Sequence, residues 1–299
     1  MNNVATLIVN PETGLFASNT QKTVKDALIH AGLEAGESVW LSEGEAFDVH
    51  FTGDLQKAKH TLSAHFANTA VDIAVQNLEN RKKSMLIADM DSTMIEVECI
   101  DEIAAELGLK DKVAPITEAA MRGELDFNAA LKERVALLKG LGVEKLQHVY
   151  DTRITYTAGG QELIATMNLH GAHTVLISGG FTFFTDRVGA HLGFKETHAN
   201  LLGVEGGKLS GSVEEPILNA EAKYNNLVRI RTARGLQASS VLAVGDGAND
   251  IPMMKEAGLG IAYHAKEKAR DAADVAINHT SLKSLLFVQG YKASEITNT

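Results

Sequence analysis

Cysteine is nearly absent: Cys99 stands alone in 299 residues. No internal disulfide and no multi-thiolate zinc site can form, which fits a reducing compartment. Basic charge is also short, with 38 acidic side chains against 28 lysines and arginines and a formal net charge of -10. Broad nucleic-acid binding needs a basic face to displace counterions from phosphates, so that class is set aside. An anionic substrate would have to find cations placed locally. No apolar run approaches the ~20 residues that span a bilayer, and Met1 to Gly14 has neither the basic start nor the apolar stretch of a secretory signal. A cytosolic protein without a membrane partner is expected, in which the acceptor-like triplet Asn278-His279-Thr280 would carry no glycan. Repeats, heptads and low-complexity tracts are missing too, which removes solenoid and fibrous architectures.

What is present is the composition of an ordinary globular chain, 45% hydrophobic and 22% charged, long enough for two domains. Residues 1–80 read as strand (Ala5 to Val9), helix (Thr23 to Ala31), hairpin (Ser38 to Phe51), helix (Leu55 to Phe66) and strand (Val71 to Val75). That β-α-β-β-α-β order predicts an α+β, ferredoxin-like domain. The polar stretch Asn80 to Ser84 is the candidate linker to a second domain, residues 81–299. There, unalternating apolar runs at Met85 to Ala88, Thr174 to Ile177, Val241 to Val244, Leu259 to Ala262 and Val275 to Ile277 alternate with helical segments. Strands of that kind are buried on both faces, so the spacing predicts a doubly wound, Rossmann-like parallel sheet. The insert from about Glu98 to Thr157 is too long for a simple connection and predicts a helical cap. Another hairpin is expected at Leu201 to Val213, turned at Glu205-Gly206-Gly207-Lys208.

Chemistry concentrates where three of these runs end. Asp89-Met90-Asp91-Ser92-Thr93 follows the first. Ligands bind beyond the C-terminal ends of parallel strands, and two carboxylates there call for a cation or a partner. Taken singly, the motif also fits a solvated turn capping the next helix. It does not fit an EF-hand loop, because Met94 stands where the glycine belongs and Ile100 at the twelfth position. Ser178-Gly179-Gly180 follows the second run, and glycines there let the backbone approach an anion, although a plain tight turn uses them equally well. No Gly-Lys-Ser/Thr follows, which excludes an ordinary P-loop. Gly245-Asp246-Gly247-Ala248-Asn249-Asp250 follows the third, preceded on a helix by Lys223.

Singly these are weak; in this order they resemble the haloacid dehalogenase superfamily, from about Met85 to the C-terminal region. The segments Glu96 to Ala104, Met121 to Phe127 and Arg134 to Leu138 are similar to the phosphoserine phosphatase family in particular. The resemblance implies an Asp89 nucleophile that forms an aspartyl-phosphate. It implies Asp91 as acid and base, and Mg²⁺ held by Asp89, Asp246 and the Asp91 backbone carbonyl, with Asp250 orienting the ion's water shell. Ser178, Gly179, Gly180 and Lys223 would bind phosphate oxygens, and Asn249 would fix the phosphate or Lys223. Glu98 would hold the substrate ammonium, Arg134 its carboxylate, and Met121 with Phe127 would form an apolar lid. The implied reaction is phosphoserine hydrolysis, the last step of serine biosynthesis. Two other readings stay open: phosphoryl transfer to another alcohol such as homoserine, and an inactive amino-acid-binding regulatory protein. The first 80 residues are similar to small regulatory domains of the ACT-like type, which implies subunit contact, hence a homodimer, with ligand sensing secondary.

Overall fold

Asn3–Ile8, strand β1, is buried along its whole length, because the sheet it belongs to is covered on both faces. After it come α1 (Thr20–His30), β2 (Glu34–Ser42), β3 (Ala46–Thr52), α2 (Leu55–His65) and β4 (Asp72–Asn77). The computed structural model describes residues 1–297. These strands form an antiparallel sheet of order β2-β3-β1-β4. Side chains alternate across a strand. Ala5, Leu7 and Val9 therefore pack with Val24 and Leu28 of α1 and Ala58 and Leu62 of α2. From the opposite face Ile8, Ala46 and Ala74 join the core of the rest of the chain. The elements are those the sequence predicts, with shifted ends: β2 begins at Glu34 instead of Ser38, and α1 at Thr20 instead of Thr23.

The remaining elements are β5 (Met85–Ala88), α3 (Cys99–Ala105), α4 (Lys110–Met121), α5 (Phe127–Leu137), α6 (Glu144–Arg153), α7 (Gly160–Leu169), β6 (His173–Phe181), α8 (Thr182–Leu192), β7 (Glu196–Asn200), β8 (Leu202–Glu205), β9 (Lys208–Val213), α9 (Ala220–Ala233), β10 (Val241–Gly245), α10 (Ile251–Glu256), β11 (Leu259–Tyr263), α11 (Glu267–Ala272), β12 (Val275–Ile277) and α12 (Ser284–Val288). The central sheet has the order β12-β11-β10-β5-β6-β7, with every pairing parallel. Its apolar runs divide by period two: Leu86, Ala88, Leu176, Leu242 and Val244 face one core, while Met85, Ile87, Val175, Ile177 and Val241 face the other. Strand β7, Glu-Thr-His-Ala-Asn, has no sequence counterpart among the predicted strands, because an edge strand needs no continuous apolar run. The hairpin β8–β9 turns through Gly206 and Gly207, both at positive φ, 56° and 77°. Among the described residues no helix is long and apolar enough to cross a membrane.

In the Asn80–Ser84 stretch, the candidate linker, Asn80, Lys82 and Ser84 are exposed, but Arg81 and Lys83 are buried. Arg81 is only 9% exposed. Its guanidinium donates to Asp48 Oδ2 at 2.5 Å, to Thr6 Oγ1 at 2.7 Å and to the carbonyls of Val288 and Phe287 at 2.8 and 3.0 Å. A cation can be buried when every N–H finds an acceptor, and here the acceptors come from β1, β3 and α12. Asp72 adds a second tie, accepting the Asn278 and His279 amides and the Thr280 hydroxyl. The triplet that mimics a glycosylation site thus anchors the two sheets to each other. Arg81→Met should destabilise the fold by about 3–5 kcal/mol, because Asp48 is left charged and buried. Urea unfolding measures this, and adding Asp48→Leu should restore much of the loss.

Candidate active site

Strands β10, β5 and β6 are neighbours, so the three motif-bearing loops leave the same sheet edge side by side. The Asp89 amide still donates to the Val244 carbonyl at 3.0 Å, which holds the residue in the plane of the sheet. Asp89 Oδ1 accepts from its neighbour Met90 N–H at 2.8 Å and from Lys223 Nζ at 2.8 Å. Among the described residues nothing donates to Oδ2. One carboxylate oxygen is therefore fixed and the other carries no donor.

Lys223 rises from α9 into the interior, fully buried, and its second partner is Asp250 Oδ1 at 2.7 Å. Burial alone would lower the ammonium's pKa; the Asp250 and Asp89 carboxylates overcome this and raise it. Asp250 Oδ2 accepts the backbone amides of Asp246 and Gly247 at 3.2 and 3.1 Å, which folds the Gly-Asp-Gly turn around it. Oxygen atoms of Asp89, Asp246 and Asp250 lie within 4.8 Å of one another, all buried. One lysine cannot neutralise three carboxylates. Burial, followed by the charge of Asp250, pushes Asp89 well above the usual carboxylate range, and burial with the charges of Glu98 and Asp250 does the same to Asp246. Hard oxygen donors crowded in this way fit a small divalent cation such as Mg²⁺. Because both oxygens of Asp250 are already engaged, Asp89 and Asp246 are the carboxylates free to bind an ion directly, with Asp250 behind them.

Asp91 belongs to a different part of the site. Its carboxylate turns away from the acidic cluster, accepting the Cys99 amide at Oδ1, 3.0 Å, and the Ser178 hydroxyl at Oδ2, 3.1 Å. Burial raises its pKa against the effect of those bonds. Any part it has in holding a metal must come from its backbone. Strand β6 does not end before Ser178 as the sequence suggests but runs on to Phe181, with a register shift against β7 after Ile177. Asn200 of β7 stabilises that irregularity, donating to the Gly179 carbonyl at 2.8 Å and accepting the Leu218 amide at 2.6 Å. The Gly180 amide, expected to face phosphate, donates instead to Ser178 Oγ at 2.8 Å. Both glycines are required by crowding: a Cβ on Gly179 would meet the Phe127 ring at 2.7 Å, and one on Gly180 would meet Asp91 Oδ2 at 2.6 Å. Asn249 lines the cavity with its Oδ1 buried and unpaired, and makes no bond to Lys223, contrary to one of its two expected roles.

The helices α3 to α6 form the expected cap. They bring Glu98, Met121, Phe127 and Arg134 over Asp89, Asp91, Ser178 and Gly179, around a cavity of about 30 Å³. That volume holds a water or two and no amino-acid phosphate, so the cap is closed here. Glu98 accepts the Ser92 hydroxyl at 2.6 Å, and Ser92 adopts positive φ, 55°, to reach it. Strain of this kind is kept where the surroundings enforce it. Burial, then the charge of Asp91, pushes Glu98 up to about 8. Burial lowers Arg134, while the charges of Glu98 and Asp101 hold it up. The Arg134 guanidinium donates to the Ala130 carbonyl at 3.1 Å and to Thr117 Oγ1 at 3.0 Å. Sequence reasoning did not find Thr117, Ser92 or Asn200. Ser92 lies inside a recognised motif, whereas nothing in the sequence marks the other two.

The model of the haloacid dehalogenase-like hydrolase family matches residues 86–255. The curated phosphoserine phosphatase of Archaeoglobus fulgidus is 42% identical over 237 residues, 79% of this chain and 69% of that one. A HAD family hydrolase from Salmonella enterica serovar Typhi superposes with a TM-score of 0.83 at 29% identity, covering 96% of this chain and 98% of its own. A phosphoserine phosphatase solved as a phospho-aspartyl intermediate analogue superposes with a TM-score of 0.66 at 41% identity, over 69% of this chain and 98% of its own.

Proposed function

Since this chain belongs to the haloacid dehalogenase-like hydrolases and, within them, to the phosphoserine phosphatases, we propose that it hydrolyses O-phospho-L-serine to serine and phosphate by way of a phosphoryl group carried on Asp89, with Mg²⁺ as cofactor. The observation that carries this reading is the pairing of two opposed half-sites. A carboxylate with one oxygen pinned by Lys223 and the other free faces a cap that offers Glu98 and Arg134 to the two charges of an amino acid.

Asp89 Oδ2 attacks phosphorus, an O–P bond forms, and the bond from phosphorus to the serine oxygen breaks. Asp91, held beside the site by Cys99 N–H and Ser178 Oγ, gives its proton to the departing serine oxygen. In the second half-reaction Asp91 takes a proton from water as that water attacks the phosphorus, which frees phosphate and restores the Asp89 carboxylate. Lys223 and Ser178 stabilise the phosphoryl oxygens, and Asn249 supplies a further polar contact. Met121 and Phe127 close apolar surface over the ester and keep bulk water out. Mg²⁺, held by Asp89, Asp246 and the Asp91 backbone carbonyl, would neutralise charge on the transferring group. Substrate would enter by movement of the cap, which a Lys266–Glu118 ion pair of 3.1 Å joins to the core. The N-terminal unit, residues 1–80, is assigned to subunit contact in a cytoplasmic homodimer, and the reaction to the end of serine biosynthesis.

Phosphate release from phosphoserine should appear on adding Mg²⁺, vanish with a chelator, and be far slower for phosphothreonine and sugar phosphates. Mg²⁺ at 100 times its dissociation constant should also stabilise the fold by about 2.7 kcal/mol, read as a rise in Tm that Asp246→Ala removes. Equal rates on all these esters would defeat the substrate assignment, and an unmoved Tm the metal site.

A further inference from the structure

Arg134 is fixed by a chain of side chains that starts in the cavity and ends outside its lining. Each of three cap helices contributes one member: Asp101 from α3, Thr117 from α4 and Arg134 from α5. Thr117 Oγ1 accepts from Arg134 Nη1 at 3.0 Å and donates to Asp101 Oδ1 at 2.6 Å. A hydroxyl has one proton to give, and the alternative acceptor, the Val113 carbonyl, is farther off at 3.2 Å. The chain therefore runs from guanidinium through hydroxyl to carboxylate, with all three residues less than a tenth exposed.

This arrangement differs from a direct ion pair in its consequence. A carboxylate bonded side-on to the guanidinium would occupy the same fork that a substrate carboxylate needs. Among the described residues no carboxylate lies within ion-pair distance of Arg134. Nε is taken by the Ala130 carbonyl and one Nη1 proton by Thr117. The other Nη1 proton and both protons of Nη2 have no acceptor among the described residues. Asp101 supplies counter-charge at one remove, and the outer edge of the fork remains open toward the cavity that Thr117 and Arg134 both line.

We propose that Thr117 and Asp101 are positioning residues for Arg134, and that through it they set the preference for a phosphoester bearing a carboxylate over the same ester without one. This rests on the phosphoserine reading above. Without the hydroxyl, the guanidinium keeps its charge but loses its aim, so binding of the carboxylate weakens while chemistry at phosphorus is untouched. A hydroxyl that served only to satisfy the Val113 carbonyl and pack α4 would have no such selectivity.

The test compares phosphoserine with phosphoethanolamine, which keeps the ammonium and lacks only the carboxylate. Thr117→Val should raise KM for phosphoserine roughly 10- to 100-fold, the range for losing a hydrogen bond to a charged group, with kcat nearly unchanged. Its kcat/KM for phosphoethanolamine should stay within about twofold of the wild type. Thr117→Ser, which restores the hydroxyl, should return phosphoserine KM to the wild-type value, and Asp101→Asn, which keeps an acceptor without the charge, should fall between. Equal losses on both substrates, or a serine variant no better than valine, would overturn the inference. Should the valine variant fail to fold, the serine and Asp101→Asn comparison decides. A wild type that shows no preference between the two esters overturns the phosphoserine reading, and this inference with it. A wild type whose clear preference is unmoved by Thr117→Val overturns this inference alone.

Discussion

Asp89→Asn should abolish turnover, by on the order of 10⁴-fold or more, and with it the acid-stable, base-labile label left by radioactive phosphoserine. An amide oxygen is a poor nucleophile, yet the side chain has almost the carboxylate's shape. It can still accept from Met90 N–H and Lys223 Nζ, so the loop geometry survives. Stability should survive as well. Asp89 shares a buried site with Asp246 and Asp250, where burial and mutual repulsion hold its pKa far above normal. Removing one negative charge relieves that repulsion. Thermal unfolding without Mg²⁺ should therefore show a Tm no lower than that of the wild type, while Lys223 keeps Asp250 as its partner. Full labelling in the asparagine variant would remove Asp89 as nucleophile. A collapsed Tm would mean that the site is held together by this carboxylate instead of strained by it.

Arg134→Ala carries the second large effect, and it is selective. Two charge-assisted bonds from one planar guanidinium to a carboxylate in a closed cap contribute about 1.5–3 kcal/mol each when fully formed. The loss in kcat/KM for phosphoserine should be on the order of 10²- to 10⁴-fold. An aryl phosphate lacking the amino-acid charges should lose far less. Arg134→Lys should recover only part of the loss, since an ammonium keeps the charge without the fork. Comparable losses for phosphoserine and the aryl ester would place Arg134 in phosphate binding or in the cap's own stability. The geometry favours the selective outcome, because Lys223 and Ser178 lie against Asp89 and Asp91, whereas Arg134 sits on α5 across the cavity.

How much of this was legible beforehand depends on the range of the interaction that decides each feature. The parallel sheet could be read because a strand buried on both faces has an unbroken apolar run, as in Met-Leu-Ile-Ala of β5 and Val-Leu-Ala-Val of β10. Edge strand β7 could not, since it has no partner strand on one side and its polar sequence ends in Asn200, whose side chain bonds Gly179 and Leu218. Arg81 looked like linker because its charge is visible in the sequence while Asp48, Thr6 and the α12 carbonyls that bury it are not. In the site, the motifs named the donors but not their allocation. Asp91 faces Cys99 and Ser178 instead of the acidic cluster, Gly180 N–H is occupied by Ser178, and Asn249 leaves Lys223 to Asp89 and Asp250.

The sequence by itself determined which chemical groups gather beyond the ends of the strands: the carboxylates of Asp89, Asp91, Asp246 and Asp250 and the hydroxyl of Ser178, with Lys223 supplied from helix α9. Side-chain identity and the position of a strand's end are local properties, written in a few consecutive residues. Only the tertiary structure decided which oxygen of Asp89 is free, where Asp91 points, and that Thr117 and Asp101 stand behind Arg134. Those outcomes depend on hydrogen bonds between residues far apart in the chain, where each donor or acceptor has several candidate partners and packing selects one.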